Sequence, residues 1–144
     1  MIDTRTAAYG ALILRVTLGA FLLVHFGLKY FVFTPAGTVQ FFQSLGLPGP
    51  LAYVTIAAEL VGGVLLIVGA YTRIVAFALL PILLGAAWAH AGNGWLFTSP
   101  NGGWEYPAFL AVAAAAVAIL GGGRYALASR APSRTPAFRL QRVD

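Results

Sequence analysis

Residues 12–31 read LILRVTLGAFLLVHFGLKYF. The apolar segment that contains this string extends from Ala7 to Phe33, and it exceeds the about 20 residues that a helix needs to cross a bilayer. It is also longer than the about 7–15 apolar residues of a secretory signal. We therefore predict a retained membrane span, which carries the ionisable side chains of Arg15, His25 and Lys29.

The whole chain has the composition of a membrane protein. Of its 144 residues, 60% are hydrophobic and 9% are charged, whereas a soluble domain is about 45–50% apolar and about 25% charged. These values exclude a water-soluble globule, a disordered chain and a nucleic-acid-binding domain, even though the net charge is +5. Cysteine is absent, which excludes thiolate metal sites and iron–sulfur clusters ligated by this chain, and no metal site is predicted.

Hydropathy predicts three further spans, with the boundaries Leu51–Ala70, Ile74–Ala91 and Trp104–Leu120. The connection at 34–50 is expected to lack regular structure, apart from a short interfacial helix around Phe41 and Phe42. The predicted fold is therefore all-α, an integral membrane four-helix bundle. Residues 1–128 form its single membrane domain, and residues 129–144 form a basic cytoplasmic tail that is expected to be flexible.

Basic residues are confined to alternate ends of the predicted spans. Arg5, Arg73 and the arginines from Arg124 onward fall on one side, whereas the connections at 34–50 and 92–103 contain neither Lys nor Arg. The positive-inside rule therefore predicts that both the N and C termini are cytoplasmic, in a bacterial-type inner (plasma) membrane.

The ionisable residues inside the spans need partners, because a charge at the bilayer centre costs about 2.5–3.5 kcal/mol. His25 and Lys29 are four residues apart and share one helix face with Arg15. Glu59 is the carboxylate at intermediate depth, so it is the expected counter-ion of these bases. His90 and Glu105 are predicted at similar depth on two other helices.

These side chains are expected to meet in one cavity nearer the periplasmic leaflet. The candidates for ligand binding or proton relay are Arg15, His25, Lys29, Glu59, His90 and Glu105. Structural interpretations remain open beside this one. Arg15 and Glu59 could form a register-fixing ion pair, Lys29 could extend to the headgroups, and His90 could be an interfacial hydrogen-bonding residue. Glu105 could be a helix N-terminal charge.

Several motifs together resemble the DoxX family over most of residues 10–128. They are the opening string at 12–31, AELVGGVLLIVGAYTRIVA at 58–76, the late His90, the run from Gly102 to Glu105, and GGRYALA at 122–128. The family comprises small four-helix membrane proteins and is named after a membrane subunit of an archaeal thiosulfate:quinone oxidoreductase. The resemblance implies association with quinone-linked redox systems. Family members often carry Ser and Asp where this chain has Ala126 and Ala128.

The resemblance implies a quinone as a non-covalent ligand. On this hypothesis His25, Lys29 and His90 donate hydrogen bonds and Glu59 relays protons. Aromatic side chains are expected to stack on the ring, with Phe26, Trp88 and Trp104 as the candidates. Because no residue of this chain carries electrons, the chain is predicted to be an accessory subunit with partner membrane or redox subunits, and a homo-oligomer is a further alternative.

Other functions stay open at this point. A structural or assembly subunit without chemistry of its own would need the same polar core to stabilise the bundle. Transport of a small molecule or ion through that core is a less favoured alternative, since transporters usually show clear repeats and interrupted helices. Two histidines at similar depth could also ligate a haem b, which we favour less than a quinone.

Overall fold

The computed structural model describes residues 4–127, with side chains from Thr6 onward. Within this range the chain is helical and contains no β-strand, which confirms the all-α prediction. The elements are α1 (Thr4–Gly27), a π-helical turn (Leu28–Val32), α2 (Thr34–Ser44), α3 (Pro50–Val68), α4 (Thr72–His90), a 3₁₀ turn (Ala91–Asn93) and α5 (Glu105–Leu120). The predicted tail at 129–144 lies outside the described residues.

Among the described residues, three helices are long and apolar enough to cross a membrane. They are Thr6–Val32, Pro50–Val68 and Thr72–Asn93, and their bounds lie close to those predicted from hydropathy. The apolar α5 is shorter, with 16 residues, whereas a perpendicular span needs about 20. The structure therefore supports an integral membrane protein with three candidate spans.

The outward faces of these helices carry large apolar side chains. Ile13, Phe77, Phe109 and Ile119 are each more than half exposed. Such surfaces are costly in water but are the normal outer surface of a helix bundle in lipid. The exposed apolar faces thus agree with bilayer contact.

The connection at 34–50 is more ordered than predicted. α2 begins directly at Thr34 and contains 11 residues, with Pro35 in its first turn, where a proline has no helical N–H to lose. The Thr38 hydroxyl donates to Thr34 O at 3.0 Å and lies 3.3 Å from Lys29 O, a carbonyl of the π-helical turn. The expected short helix near Phe41 is therefore one end of a longer helix that packs on the end of the first span.

The bundle is built from two close helix pairs, α1 with α3 and α4 with α5. At the first crossing, a Cβ added to Gly19 would lie 2.8 Å from Gly63 O, so only glycine lets the two backbones approach this closely. The central core is apolar and consists of Leu18, Leu22, Leu66, Ala76, Leu79, Leu83, Leu110, Ala111, Ala114 and Val117. The crossing fixes which residues of α1 and α3 face each other.

Candidate functional site

A cavity of about 440 Å³ lies between the first span, α2, α3, α4 and α5. Its volume is within the range of small-molecule sites in proteins. The lining is mostly apolar, and its polar members are His25, Lys29, Thr55, Glu59, His90 and Tyr106. The structure thus brings His25, Lys29, Glu59 and His90 to one cavity, from three different helices.

The strongest polar contact in the cavity joins Lys29 to Glu59. Lys29 Nζ lies 2.6 Å from Glu59 Oε1. Lys29 stands on the π-helical turn, in which the Phe33 N–H donates to Leu28 O at 2.8 Å, five residues back. π-helical turns inside long helices are frequent at functional sites, because they rotate the following side chains relative to the helix.

One carboxylate oxygen of Glu59 is not used in the ion pair with Lys29. The residue is 5% exposed, and its Oε2 is buried without a hydrogen-bond partner among the described residues. Buried polar atoms are nearly always hydrogen-bonded, so such an exception calls for an explanation. A ligand hydroxyl or a water molecule in the cavity would satisfy this oxygen.

Each cavity histidine has one ring nitrogen engaged by the backbone. His25 Nδ1 lies 2.8 Å from Phe21 O, and His90 Nδ1 lies 3.1 Å from the carbonyl oxygens of both Asn101 and Gly102. A carbonyl oxygen only accepts, so the contact with Phe21 O assigns a proton to His25 Nδ1. His90 Nδ1 also lies 3.3 Å from the donor Asn93 Nδ2, so its contacts are compatible with either tautomer. In the neutral His25 ring, Nε2 is then an acceptor for a ligand hydroxyl, whereas the quinone hypothesis expects His25 to donate.

Aromatic rings border the histidines. The His25 ring stacks on Tyr106 with centroids 5.6 Å apart and planes at 19°. The His90 ring lies 6.5 Å from the ring of Phe41. Together with Phe42, these side chains give the cavity flat apolar walls beside its polar groups.

Arg15 does not belong to this cavity, and the expected pairing of Arg15 with Glu59 is wrong. Its guanidinium donates to Gly122 O at 2.9 Å, to Ile67 O at 2.7 Å and also to Leu66 O. Arg15 lies 14 residues before Lys29, which is about 21 Å along a helix. At this end α3 stops, so the carbonyls of its last turn have few backbone donors left. Leu66 O accepts the Gly69 N–H at 3.2 Å, and Arg15 donates to both Leu66 O and Ile67 O.

Glu105 also lies outside the cavity. Its Oε1 accepts a hydrogen bond from the Phe97 N–H at 2.9 Å, and its own N–H donates to Trp95 O at 3.1 Å. The carboxylate therefore ties the loop between α4 and α5 to the first turn of α5. This placement corrects the ligand-site prediction and agrees with the alternative of a helix N-terminal charge.

The aromatic residues proposed to stack on a ring are also misplaced. Phe26 stacks on Tyr30 at 5.5 Å, Trp88 is 58% exposed, and Trp104 packs edge-on against Trp95 at 4.4 Å. None of the three lines the cavity. The reason is helix geometry, because each residue turns about 100° from its neighbour, which directs Phe26 away from the face of His25.

The rings that do line the cavity are Phe41, Phe42 and Tyr106. Sequence analysis missed them as site residues for different reasons. The two phenylalanines lie in the connection at 34–50, for which the sequence predicts no regular structure apart from a short interfacial helix. At the start of α5 the sequence analysis selects Glu105, whereas the residue that lines the cavity is the next one, Tyr106.

These features define an all-helical membrane protein with a small polar site in an apolar cavity. The family model described as DoxX matches residues 10–92. The match covers more than half of the chain, so the chain belongs to the DoxX family. The matched range contains Arg15, His25, Lys29, Glu59 and His90 but ends before α5.

A curated relative in Bacillus subtilis (strain 168) carries the name "Putative oxidoreductase CatD". It is 49% identical over 77 residues, which is 54% of this chain and 56% of the relative. The chain thus matches about half the length of that relative, whose name connects it with oxidoreductases. No solved structure matches the chain.

Proposed function

We propose that this chain is a quinone-associated accessory subunit of a membrane redox complex and that its cavity binds the quinone headgroup. The observation that carries the proposal is the Lys29–Glu59 pair, which leaves Glu59 Oε2 unpartnered in an otherwise apolar cavity. Membership of the DoxX family and the oxidoreductase name of the relative support it. A quinone supplies the redox chemistry when bound, taking up two electrons and two protons.

The cavity residues fit such a ligand. The Lys29 ammonium has three N–H donors and uses one on Glu59, so it can also donate to a ring carbonyl. Glu59 Oε2 and His25 Nε2 can accept hydrogen bonds from the hydroxyls of the reduced ligand, the quinol. Phe42 and Tyr106 offer flat surfaces to the ring. Because a chain without cysteine cannot ligate an iron–sulfur cluster through thiolates, we assign electron delivery to a partner redox subunit.

Binding of a short-tailed quinone in its oxidised and reduced forms to the protein in lipid nanodiscs tests the proposal. We expect Glu59→Gln to weaken binding of the reduced form, the quinol, by about tenfold or more, because the charge-assisted hydrogen bond from a quinol hydroxyl to Glu59 Oε2 is lost. Glu105→Gln makes the same chemical change outside the cavity and is expected to bind like the wild type. His25→Gln leaves the ion pair intact, and it provides a second test in case Glu59→Gln folds poorly. Affinity is measured from quenching of tryptophan fluorescence.

Two outcomes would contradict this proposal. Wild-type protein that neither copurifies with quinone nor responds to added quinone would do so directly. Alternatively, Glu59→Gln and His25→Ala could abolish assembly with partner subunits, while the assembled fraction keeps its normal turnover. That result would favour a structural or assembly subunit without chemistry of its own.

We further propose that α5 forms a fourth span and that both termini are cytoplasmic in a bacterial inner membrane. Support comes from the packing of α5 along α4 and from the distribution of arginines. Because the chain has no cysteine, single-cysteine variants report cleanly on topology. We expect Ser44→Cys in intact spheroplasts to react with an impermeant maleimide and Tyr71→Cys to react only after lysis. If Tyr71→Cys reacts in intact spheroplasts and Ser44→Cys reacts only after lysis, the orientation is the reverse of the proposed one. Equal labelling of the two variants in intact spheroplasts would also contradict the proposed orientation.

A further inference from the structure

A second pocket of about 290 Å³ lies where α3 ends and α4 begins. It is lined by the turn between these helices, by the first residues of α4 and by Gly122 and Ala126 after α5. Thr72 and His90 stand at opposite ends of α4, about 27 Å apart along the helix, so this pocket is remote from the cavity of Lys29 and Glu59. We propose that it binds a phosphate-class oxyanion.

The start of α4 provides backbone donors for an anion. Its N-cap residue, Tyr71, has a left-handed backbone (φ 49°) and makes no side-chain capping hydrogen bond. The first N–H groups of a helix have no intrahelical acceptor, and they carry the positive end of the helix dipole. An uncapped N-terminus of this kind is suited to bind a phosphate.

A buried hydroxyl in the same pocket lacks a partner. Thr72 is 5% exposed, and its Oγ1 has no hydrogen-bond partner among residues 6–127. Leaving a buried hydroxyl unsatisfied is unfavourable. An oxyanion in the pocket would accept a hydrogen bond from it and remove this cost.

The charges around the pocket also favour an anion. Arg73 lies in the first turn of α4, where a cation is unfavourable beside the positive end of the dipole unless an anion lies between them. The Arg73 side chain lies directly against Gly121, the first residue after α5. A Cβ built on Gly121 would be only 2.9 Å from Arg73 Nε. Arg15 is a second cation near this pocket, because a Cβ built on the pocket residue Gly69 would be 2.8 Å from Arg15 Nη1.

The described part of the chain supplies no carboxylate to this pocket. Its acidic residues are Glu59 and Glu105. Glu59 precedes Gly69 by ten residues of α3, about 15 Å along the axis, and Glu105 lies beside the loop that follows α4. The pocket also lies where two candidate spans end, which is the level of lipid headgroups. The oxyanion can therefore come from an anionic phospholipid or from free phosphate.

Thermal unfolding of the full chain in nanodiscs distinguishes the two sources. One arm compares phosphatidylcholine discs with discs that also contain phosphatidylglycerol, and another adds inorganic phosphate to phosphatidylcholine discs. A rise in melting temperature with phosphatidylglycerol alone identifies the lipid headgroup. A rise with inorganic phosphate identifies a site for the free ion. Native mass spectrometry counts the retained phospholipids.

Variants at the pocket test whether these effects are specific. We expect Arg73→Gln and Thr72→Val each to weaken binding by about tenfold, through loss of a charge-assisted or a hydroxyl contact. Thr72→Val removes an unsatisfied hydroxyl, so without phosphate it should be at least as stable as the wild type. Arg124→Gln is the matched control, because it removes the same charge at the same end of the bundle. The Arg124 guanidinium lies over Tyr9 and Tyr125 rather than in the pocket.

The proposal is overturned if neither phosphatidylglycerol nor phosphate raises the melting temperature of the wild type. It is also overturned if Arg124→Gln reduces the rise as much as Arg73→Gln does, since the attraction would then be diffuse. If Thr72→Val keeps the full rise in melting temperature, the Thr72 hydroxyl does not contact the oxyanion. That result would also overturn the proposal, because the buried hydroxyl is what distinguishes this helix N-terminus from an ordinary one.

Discussion

Lys29→Met is expected to lower the free energy of unfolding by about 3–5 kcal/mol, because removing one partner of a buried ion pair leaves the other charge uncompensated. The side chains of Lys29 and Glu59 are 21% and 6% exposed, and their charged atoms are 2.6 Å apart. Methionine retains most of the volume of the lysine stem, so the loss reports the charge rather than a cavity. Circular dichroism during denaturant or thermal unfolding in nanodiscs measures it.

The double variant Lys29→Met with Glu59→Leu is the control for this prediction. Replacing a whole buried pair by apolar residues is often neutral or stabilising. We therefore expect the double variant to recover most of the stability that the single variant loses. The double variant should nevertheless fail to bind quinone, which separates the structural role of the pair from its proposed role in the site. Equal losses in the two variants would show that this pair is not the source of the effect.

The sequence predicts the helices well because the relevant signals are local. Hydropathy over about 20 residues marks a span, and the spacing of His25 and Lys29 fixes that they share a face. The arrangement of His25, Lys29, Glu59 and His90 around one cavity follows from antiparallel helices of similar length. These features need no knowledge of side-chain packing.

The sequence predicts Glu59 as the counter-ion of the bases on the first span, but it does not determine that Lys29 rather than Arg15 is the base that pairs with it. Whether Lys29 or Arg15 reaches Glu59 depends on the register of α1 against α3, which is set where Gly19 meets Gly63 O. The segment at 34–44 forms a regular helix because it contacts the π-helical turn and α3, and these contacts are not visible in its own sequence. Phe26 and Glu105 lie outside the cavity because each is one residue away on its helix from a side chain that lines it, His25 and Tyr106 respectively. Periodicity identifies a face but does not identify the neighbour that the face meets.

Arg15→Leu is the second variant with a large expected effect. Arg15 is 1% exposed and donates to carbonyls at the end of α3 and to Gly122 O beyond α5. Each buried carbonyl that loses its donor costs about 1–3 kcal/mol, so we expect the free energy of unfolding to fall by about 3 kcal/mol or more. Arg15→Lys should be intermediate, since a single ammonium cannot reproduce the fork geometry of the guanidinium.

Hydrogen exchange shows whether Arg15 acts as this link between segments. The Arg124 N–H, which donates to Ala8 O at 3.0 Å, should exchange faster in Arg15→Leu, as should the amides around Gly122. Protection around Glu59 and quinone affinity should stay at wild-type levels, because Arg15 contacts a different end of α3. Arg124→Gln keeps its backbone bonds and serves as the comparison. If Arg15→Leu instead weakens quinone binding and leaves residues 121–127 protected, Arg15 returns to the ligand site that its shared face with Lys29 first suggested.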